Sequence, residues 1–190
     1  QVSRGVYERD HSYINMKMNP VLVVTTKKLK NNFDVNIKGV NVITLNETRW
    51  AYPNIKTIQL LPNIIAKTEA NKKNAYEAIF IDKEGFVTEG SSSNVWILNK
   101  KNELFTRNLD GSILPGITRN TVLNCASNNK YSISEKKFKV EDMLLAKEIF
   151  ITSASSFVTP VIKVNETLIN NGVVGTFSYQ LRKSYLDLYN

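Results

Sequence analysis

The chain has 190 residues, 42% of them hydrophobic, which is enough to build a sizeable core in one domain or two small ones. Its formal net charge is +8, yet the lysines are scattered, with no arginine-rich stripe and no interleaved aromatic platform, which argues against a nucleic-acid-binding protein. No stretch approaches the roughly 20 apolar residues of a membrane span, and the single cysteine, Cys125, cannot form an internal disulfide, so we expect a cytoplasmic protein.

The first 50 residues are predicted to form short strands. Residues 1–6 open in a strand-like pattern, residues 20–26 form an apolar run, and residues 35–45 alternate apolar and polar side chains with a period of two. We interpret residues 1–50 as a partial small N-terminal lobe.

Residues 51–190 are predicted to form a larger domain of antiparallel strands with interspersed helices. Apolar side chains recur at helical spacing from residue 58 to 73, with Pro62 tolerable only in the first turn. Further helices are predicted over residues 117–128, 140–147 and 176–189, and strands over residues 76–81, 86–88, 93–98, 103–106, 131–138, 148–152 and 161–164. A strand meander combined with helices indicates the α+β class.

The larger domain carries, in order, an amine, a carboxylate, hydroxyls and turns that suit an anion, which is what an enzyme using pyridoxal 5'-phosphate needs. Lys56 precedes the first helix, and a lysine amine can form a Schiff base with the cofactor aldehyde and then move a proton. Glu89 is the candidate carboxylate to face the pyridine nitrogen. The helix start at residues 116–118 and the hydroxyl of Ser153 are candidate phosphate ligands, because an unpaired dianion in a cleft is very costly.

Several motifs in the same order resemble the fold-type IV, class IV aminotransferases, which depend on pyridoxal phosphate, and within that family the D-amino-acid enzymes most of all. The resemblance runs over nearly the whole chain. It rests on residues 1–5, 9–11, 49–50, 54–56, 60–63, 66–67, 76–78, 88–94, 116–119 and 159–161. It implies that residues 51–190 are the large cofactor-binding domain.

The resemblance also implies roles for individual residues of the cofactor site. Lys56 corresponds to the Schiff-base lysine and Glu89 to the partner of the pyridine nitrogen. The other cofactor-binding positions that it implies are Ser92, Ser93, Leu114, Ile117, Thr118, Ser153 and Ala154. Ala154 stands where some relatives carry a hydroxyl, which leaves Ser153 or Ser155 to substitute.

Arg9 and His11 match the pair that grips the substrate carboxylate in the D-amino-acid enzymes, where relatives offer it across a dimer interface. A bidentate guanidinium beside an imidazole donor suits a carboxylate. The front part of the family's smaller domain, which brings an arginine to the phosphate and an aromatic hydroxyl to the substrate pocket, has no counterpart in this sequence.

The predicted function is therefore transamination between a D-amino acid, such as D-alanine, and a 2-oxo acid, by a homodimer that uses no metal and binds neither nucleic acid nor membrane. Three alternatives stay open. The first two keep the fold, as a branched-chain L-aminotransferase or an aminodeoxychorismate lyase, and the third is an inactive truncated remnant or basic binding module.

Overall fold

The computed structural model describes residues 1–12, 17–28, 33–34, 36–128 and 131–189. The chain divides into two compact units, Gln1–Asn32 and Phe33–Asn190. In the first unit, strand β1 (Val2–Ser3) pairs antiparallel with β2 (Val21–Leu22). The unit boundary differs from the predicted lobe boundary at residue 50, because the strand predicted over 35–45 belongs to the main sheet of the second unit. The first residue of that predicted strand, Val35, lies outside the described residues.

The second unit combines one large sheet with four α-helices among its described residues. The strands are β3 (Val40–Asn46), β4 (Glu77–Ile81), β5 (Val87–Gly90), β6 (Asn94–Leu98), β7 (Glu103–Thr106), β8 (Ser132–Glu135), β9 (Glu148–Ser153), β10 (Phe157–Val164) and β11 (Thr167–Leu168). The helices are α1 (Leu61–Lys72), α2 (Ile117–Asn128), α3 (Val140–Leu144) and α4 (Thr176–Leu186). Short 3₁₀ turns span Asn170–Gly172 and Asp187–Tyr189.

The strands lie in the order β5-β4-β3-β10-β9-β6-β7-β8, with β11 paired to β10. The hairpins β4–β5 and β6–β7 are antiparallel, as predicted. The antiparallel meander predicted over residues 76–106 is interrupted, because β5 lies at one edge of the sheet and β6 pairs with β7 and β9. The sheet is mixed, since β3 runs parallel to both β4 and β10, and β7 runs parallel to β8. Parallel neighbours need a long crossover, and α1 and α2 supply it. The mixed sheet with interspersed helices confirms the α+β class.

Side chains alternate between two apolar layers on either side of the sheet. On β6, Val95 and Ile97 join one core cluster, whereas Trp96 and Leu98 join the cluster that lies under α2 and α4. The Trp96 ring stacks on Phe150 with centroids 5.6 Å apart. Strands β4, β5 and β6 are buried on both faces almost throughout, so polar side chains at their ends lie in a water-poor environment.

Element boundaries differ from the predictions mainly at helix and strand starts. Helix α1 begins at Leu61, with Pro62 in its first turn as expected. Strand β10 begins at Phe157 instead of residue 161 and contains Pro160. The ladder between β3 and β10 begins at Val161, so Pro160, which has no backbone N–H, precedes that ladder.

None of the helices found in the described residues is long and apolar enough to cross a lipid bilayer.

Candidate active site

Glu89 near the end of β5 is the centre of a buried polar cluster. The residue is 4% exposed. The carboxylate accepts hydrogen bonds from the backbone N–H of Leu114 at 3.0 and 3.1 Å, from Asn94 Nδ2 at 3.0 Å, and from Arg49 Nη1. These donors come from three segments that are far apart in the sequence, so Glu89 holds them together.

Arg49 lies between two carboxylates. Its Nη2 and Nε donate to Glu47 at 2.6 and 2.9 Å, while Nη1 reaches Glu89. Arg49 Nη2 also donates to the carbonyl of Ser112 at 3.3 Å, and the guanidinium carbon lies 4.9 Å from the centre of the Phe80 ring. A fixed planar donor fork suits this bridging position.

Burial and the Arg49 charge oppose each other in this cluster. Burial raises the pKa of Glu89 to about 7, although the charge of Arg49 and the hydrogen bond from Leu114 act to lower it. Burial also acts to raise the pKa of Glu47, but Arg49 and the Thr88 hydroxyl outweigh it and hold that pKa below its ordinary value. Burial acts to lower the pKa of Arg49, yet its two carboxylate partners keep it raised. Glu89 therefore titrates near neutral pH beside a permanent cation.

Asn94 joins Glu89 to the start of α2. Its Nδ2 donates to the Leu114 carbonyl at 2.9 Å as well as to Glu89. A Cβ at Gly116 would stand 2.3 Å from Asn94 Oδ1, so only glycine allows this close approach. Asn94 is also paired across the sheet with Thr152. Of the predicted cofactor-binding residues, Leu114 therefore contacts Asn94, and Ser153 directly follows the strand partner of Asn94.

Two buried arginines stabilise the loop before α2 and the first turn of that helix. Arg107 donates to Asp110 at 2.9 Å and to Asp82 at 3.3 Å, and Arg119 donates to Glu135 at 2.5 Å and to the Arg107 carbonyl at 2.9 Å. These contacts fix the loop between β7 and α2. The free N–H groups of a helix start favour an anion.

Ile117 and Thr118, the two residues predicted to contact phosphate, differ in exposure. The Ile117 side chain is exposed, whereas Thr118 is buried, and its hydroxyl interacts with that of Tyr185 on α4. Any contact of these two residues with a phosphate therefore falls to their backbone N–H groups.

Lys56 lies in the loop between β3 and α1 and is exposed. Among the described residues, no hydrogen bond or ion pair joins Lys56 to Glu89. The loop is nevertheless anchored on both sides of Lys56, by Arg49 on Glu89 and by Asn63 Nδ2 on the Ser91 carbonyl at 2.8 Å. The amine is thus carried by a segment whose two ends are bound to β5 and to the turn that follows it.

Two further groups of predicted residues lie in turns. Ser93 is buried and Ser92 exposed, and both belong to the turn between β5 and β6. At the end of β9, Ser153 Oγ lies 2.6 Å from Ser156 Oγ and accepts the Ser156 N–H at 3.2 Å, while Ala154 is exposed. The Ser153 hydroxyl is thus hydrogen-bonded to Ser156 within its own turn.

Arg9 and His11 lie in the first unit, where both are exposed. Between them, Asp10 Oδ1 accepts the backbone N–H of His11 at 2.6 Å and that of Ser12 at 3.3 Å. Their role in binding a substrate carboxylate stays a prediction.

Sequence reasoning assigned no role to four residues that build this cluster: Glu47, Arg49, Glu77 and Asn94. Glu47 and Arg49 alternate with Thr48 just after an apolar strand, a pattern that places both on one side of an extended segment. That spacing was the available signal for an ion pair. Nothing local marks Glu77, because its partners lie more than ten residues further on.

The residues present fit pyridoxal phosphate in their chemistry. Glu89 is a buried carboxylate with a titration near neutral pH, α2 offers a helix start held close to it, and Lys56 offers an amine on an anchored loop. Gly116 allows Asn94, which donates to Glu89, to lie close to the start of α2.

Comparisons with known proteins agree with this fit. Residues 1–164 match the family model described as amino-transferase class IV. A D-alanine aminotransferase of Staphylococcus aureus is 38% identical over 185 residues, which cover 97% of this chain and 65% of that protein. That of Bacillus licheniformis is 36% identical over 175 residues, covering 92% of this chain and 61% of that protein.

A solved branched-chain amino acid aminotransferase from T.th., with pyridoxamine 5'-phosphate, superimposes with a TM-score of 0.73 at 27% identity, covering 85% of this chain and 54% of that one. The chain thus spans 61% to 65% of the length of the two curated relatives.

Proposed function

Because the chain belongs to the class IV amino-transferase family, we propose that it binds pyridoxal 5'-phosphate and transfers an amino group between a D-amino acid, such as D-alanine, and a 2-oxo acid. The observation that carries this proposal is the buried Glu89 carboxylate, held by Arg49, Asn94 and Leu114. The D-amino-acid preference is supported by the relatives that are D-alanine aminotransferases.

Glu89, held in place by Arg49, would hold the ring nitrogen of the cofactor. When bound, the cofactor supplies a carbonyl for the amino group and an electron sink. Glu89 can keep a proton at its carboxylate oxygens near neutral pH, since burial raises its pKa to about 7. Arg49 limits that rise, so the carboxylate is also available as an anion to a protonated ring nitrogen.

The phosphate would be held by the backbone N–H groups of Ile117 and Thr118 at the start of α2 and by the hydroxyl of Ser153, while Ser92 and Ser93 would line the cofactor site. Helix starts stabilise anions by roughly 0.3–1 kcal/mol each when exposed and by more when partly buried. Leu114 would pack near the ring.

Lys56 is the proposed catalytic base and acid. Its amine would accept the proton from the substrate carbon and return it to the carbon that receives the amino group, so that its position decides the chirality of the product. Arg9 and His11 are the proposed ligands of the substrate carboxylate.

We also propose a cytoplasmic homodimer, in which the partner chain completes the substrate site. The single cysteine, Cys125, is buried in the core and fits a reducing compartment. Arg9 and His11 match a pair that relatives offer across a dimer interface, and this resemblance supports the dimer.

Borohydride trapping tests the cofactor role directly. Incubation with pyridoxal 5'-phosphate followed by borohydride is expected to label Lys56, and Lys56→Ala is expected to remove that label. Lys72→Ala is the matched control, because Lys72 is an exposed lysine that pairs with Glu69 on α1. Labelling of Lys56→Ala at the wild-type level would overturn the proposal.

A branched-chain L-aminotransferase is the second candidate, since a solved structure that superimposes on this chain is named a branched-chain amino acid aminotransferase. Parallel assays with D-alanine, L-leucine and the chorismate-derived amine separate the candidates. Turnover of D-alanine above the other two supports the first proposal, and preferential turnover of L-leucine replaces it.

A further inference from the structure

Glu77 on β4 is a second buried carboxylate beside the site, and none of the roles above uses it. It is 1% exposed. Its Oε1 accepts the N–H of Ser92 at 2.5 Å, the Ser92 hydroxyl at 2.9 Å and the Ser91 hydroxyl at 3.1 Å, and its Oε2 accepts the Ser93 hydroxyl at 3.1 Å. Every serine of the β5–β6 turn therefore donates to this one side chain.

These donors replace the water that a buried carboxylate loses. Among the described residues, no ion pair neutralises Glu77, so its stability in the core depends on the four hydrogen bonds. The arrangement leaves little room, because a Cβ at Gly90 would stand 2.3 Å from Ser93 Oγ and 3.0 Å from Glu77 Oε1. A side chain at position 90 would therefore displace the Ser93 donor from the carboxylate.

The same turn anchors the helix that follows Lys56. The Ser91 carbonyl accepts Asn63 Nδ2 from the first turn of α1 at 2.8 Å, and the Ser91 N–H donates to the Ala78 carbonyl at 2.9 Å. The Gly90 N–H closes the turn on the Ser93 carbonyl at 2.7 Å. A chain of contacts therefore leads from Glu77 through Ser91 and Asn63 to the segment that carries Lys56.

We infer that Glu77 is a positioning residue, which holds the serine turn and the start of α1 in the arrangement that the cofactor site requires. The inference deepens the proposed function and depends on it for its link to the cofactor. Glu77 acts through the serine turn, Ser91–Ser93, and through Asn63, and it has no part in moving protons.

Glu148 on β9 provides a matched control for this inference. It is a glutamate that is 5% exposed and accepts the N–H groups of Phe177 and Ser178 and the Ser178 hydroxyl at 2.8 to 3.0 Å. Its donors all belong to the start of α4, away from the Lys56 segment. Glu148→Ala therefore removes a comparable set of hydrogen bonds without touching the serine turn.

Two measurements on Glu77→Ala, Glu77→Gln and Glu148→Ala test the inference. Hydrogen exchange of the cofactor-free protein is expected to rise at least about tenfold in residues 61–66 and 91–93 of Glu77→Ala, and in residues 176–180 of Glu148→Ala. Affinity for pyridoxal 5'-phosphate, followed by absorbance, is expected to fall about tenfold or more in Glu77→Ala only. Glu77→Gln keeps an acceptor at Oε1 and is expected to recover most of the affinity.

Unchanged exchange in residues 61–66 and 91–93 of Glu77→Ala would overturn the inference, as would equal loss of cofactor affinity in Glu148→Ala. If Glu77→Ala does not fold, Asn63→Ala takes its place, since it cuts the link to α1 and leaves the core intact. Exchange needs no cofactor, so failure of the wild-type protein to bind pyridoxal phosphate counts against the proposed function alone.

Discussion

Glu89 and Glu148 are both buried glutamates whose oxygens accept several hydrogen bonds, yet their surroundings differ in origin. The three donors of Glu148 come from Phe177 and Ser178 at the start of one helix. The donors of Glu89 come from Arg49, Asn94 and Leu114, which belong to a loop end, a strand and a second loop. Glu148 completes a helix start, whereas Glu89 brings separate parts of the chain to one place.

This contrast teaches that a buried carboxylate does not by itself mark a functional site. Around Glu148, the donors are backbone and hydroxyl groups, which satisfy the charge locally. Around Glu89, a guanidinium shared with Glu47 takes part, so the protonation of Glu89 responds to a neighbouring charge. Side chains from distant segments and a shared cation together distinguish the candidate site.

Removing Arg49 is expected to produce the largest effect. Arg49→Met leaves the buried Glu89 without its cation, and breaking such a pair costs roughly 3–5 kcal/mol. The loss should be large at pH 8, where Glu89 is ionised, and smaller at pH 5, where burial keeps it protonated. Urea denaturation at the two pH values measures the difference in the free energy of unfolding.

Arg182→Met is the control for this prediction, because it removes a buried arginine of α4 that donates to the carbonyls of Asp34, Ser156 and Val158 at 2.7 to 2.9 Å. Its loss of stability is expected to be similar at pH 5 and pH 8. A pH-independent loss in Arg49→Met as well would remove the distinction between the two regions.

The titration of Glu89 is expected to have the next largest effect on the free energy of unfolding. Its pKa is raised to about 7 in the folded protein from its ordinary value of 4.5, so the folded state binds more protons than the unfolded state between these values. The contribution to stability is therefore fully present below pH 4.5 and is lost as the pH rises through about 7. At about 1.4 kcal/mol per pKa unit, the loss amounts to a few kcal/mol.

The free energy of unfolding of the cofactor-free protein, measured from pH 4.5 to 8, checks this titration. Glu89→Gln is expected to flatten the pH dependence, and Glu148→Gln is expected to leave it in place because Glu89 is intact. A Glu89→Gln variant with the wild-type pH dependence would show that another group is responsible.

The sequence predicted the elements well where apolar periodicity was strong, as in β6, β9 and α2, because core packing and local pattern agree there. It did not predict that β3 pairs parallel with β4 and β10, since pairing direction depends on the crossover helices and not on the strand residues. Arg49 and Glu77 were missed as functional partners for a related reason: Arg49 contacts Glu89, 40 positions away, and Glu77 contacts Ser92, 15 positions away. Only the folded sheet brings these residues together.

Two glycines offer the smallest and most closely matched test of the comparison. A Cβ at Gly116 would stand 2.3 Å from Asn94 Oδ1, and a Cβ at Gly175 would stand 1.9 Å from the carboxyl carbon of Glu148. Each alanine variant is expected to lose about 1–3 kcal/mol of stability by crowding. Thermal unfolding of Gly116→Ala and Gly175→Ala measures this loss.

Their effects on the cofactor should differ, because Gly116→Ala displaces the amide that links Glu89 to Leu114, whereas Gly175→Ala displaces only the carboxylate under α4. Gly116→Ala is therefore expected to weaken binding of pyridoxal 5'-phosphate several-fold, and Gly175→Ala to leave it near the wild-type value. Equal weakening in both variants would mean that cofactor affinity follows overall stability, and the two buried glutamates would then be equivalent. A selective loss in Gly116→Ala would instead place the functional difference in the contacts that Asn94 makes.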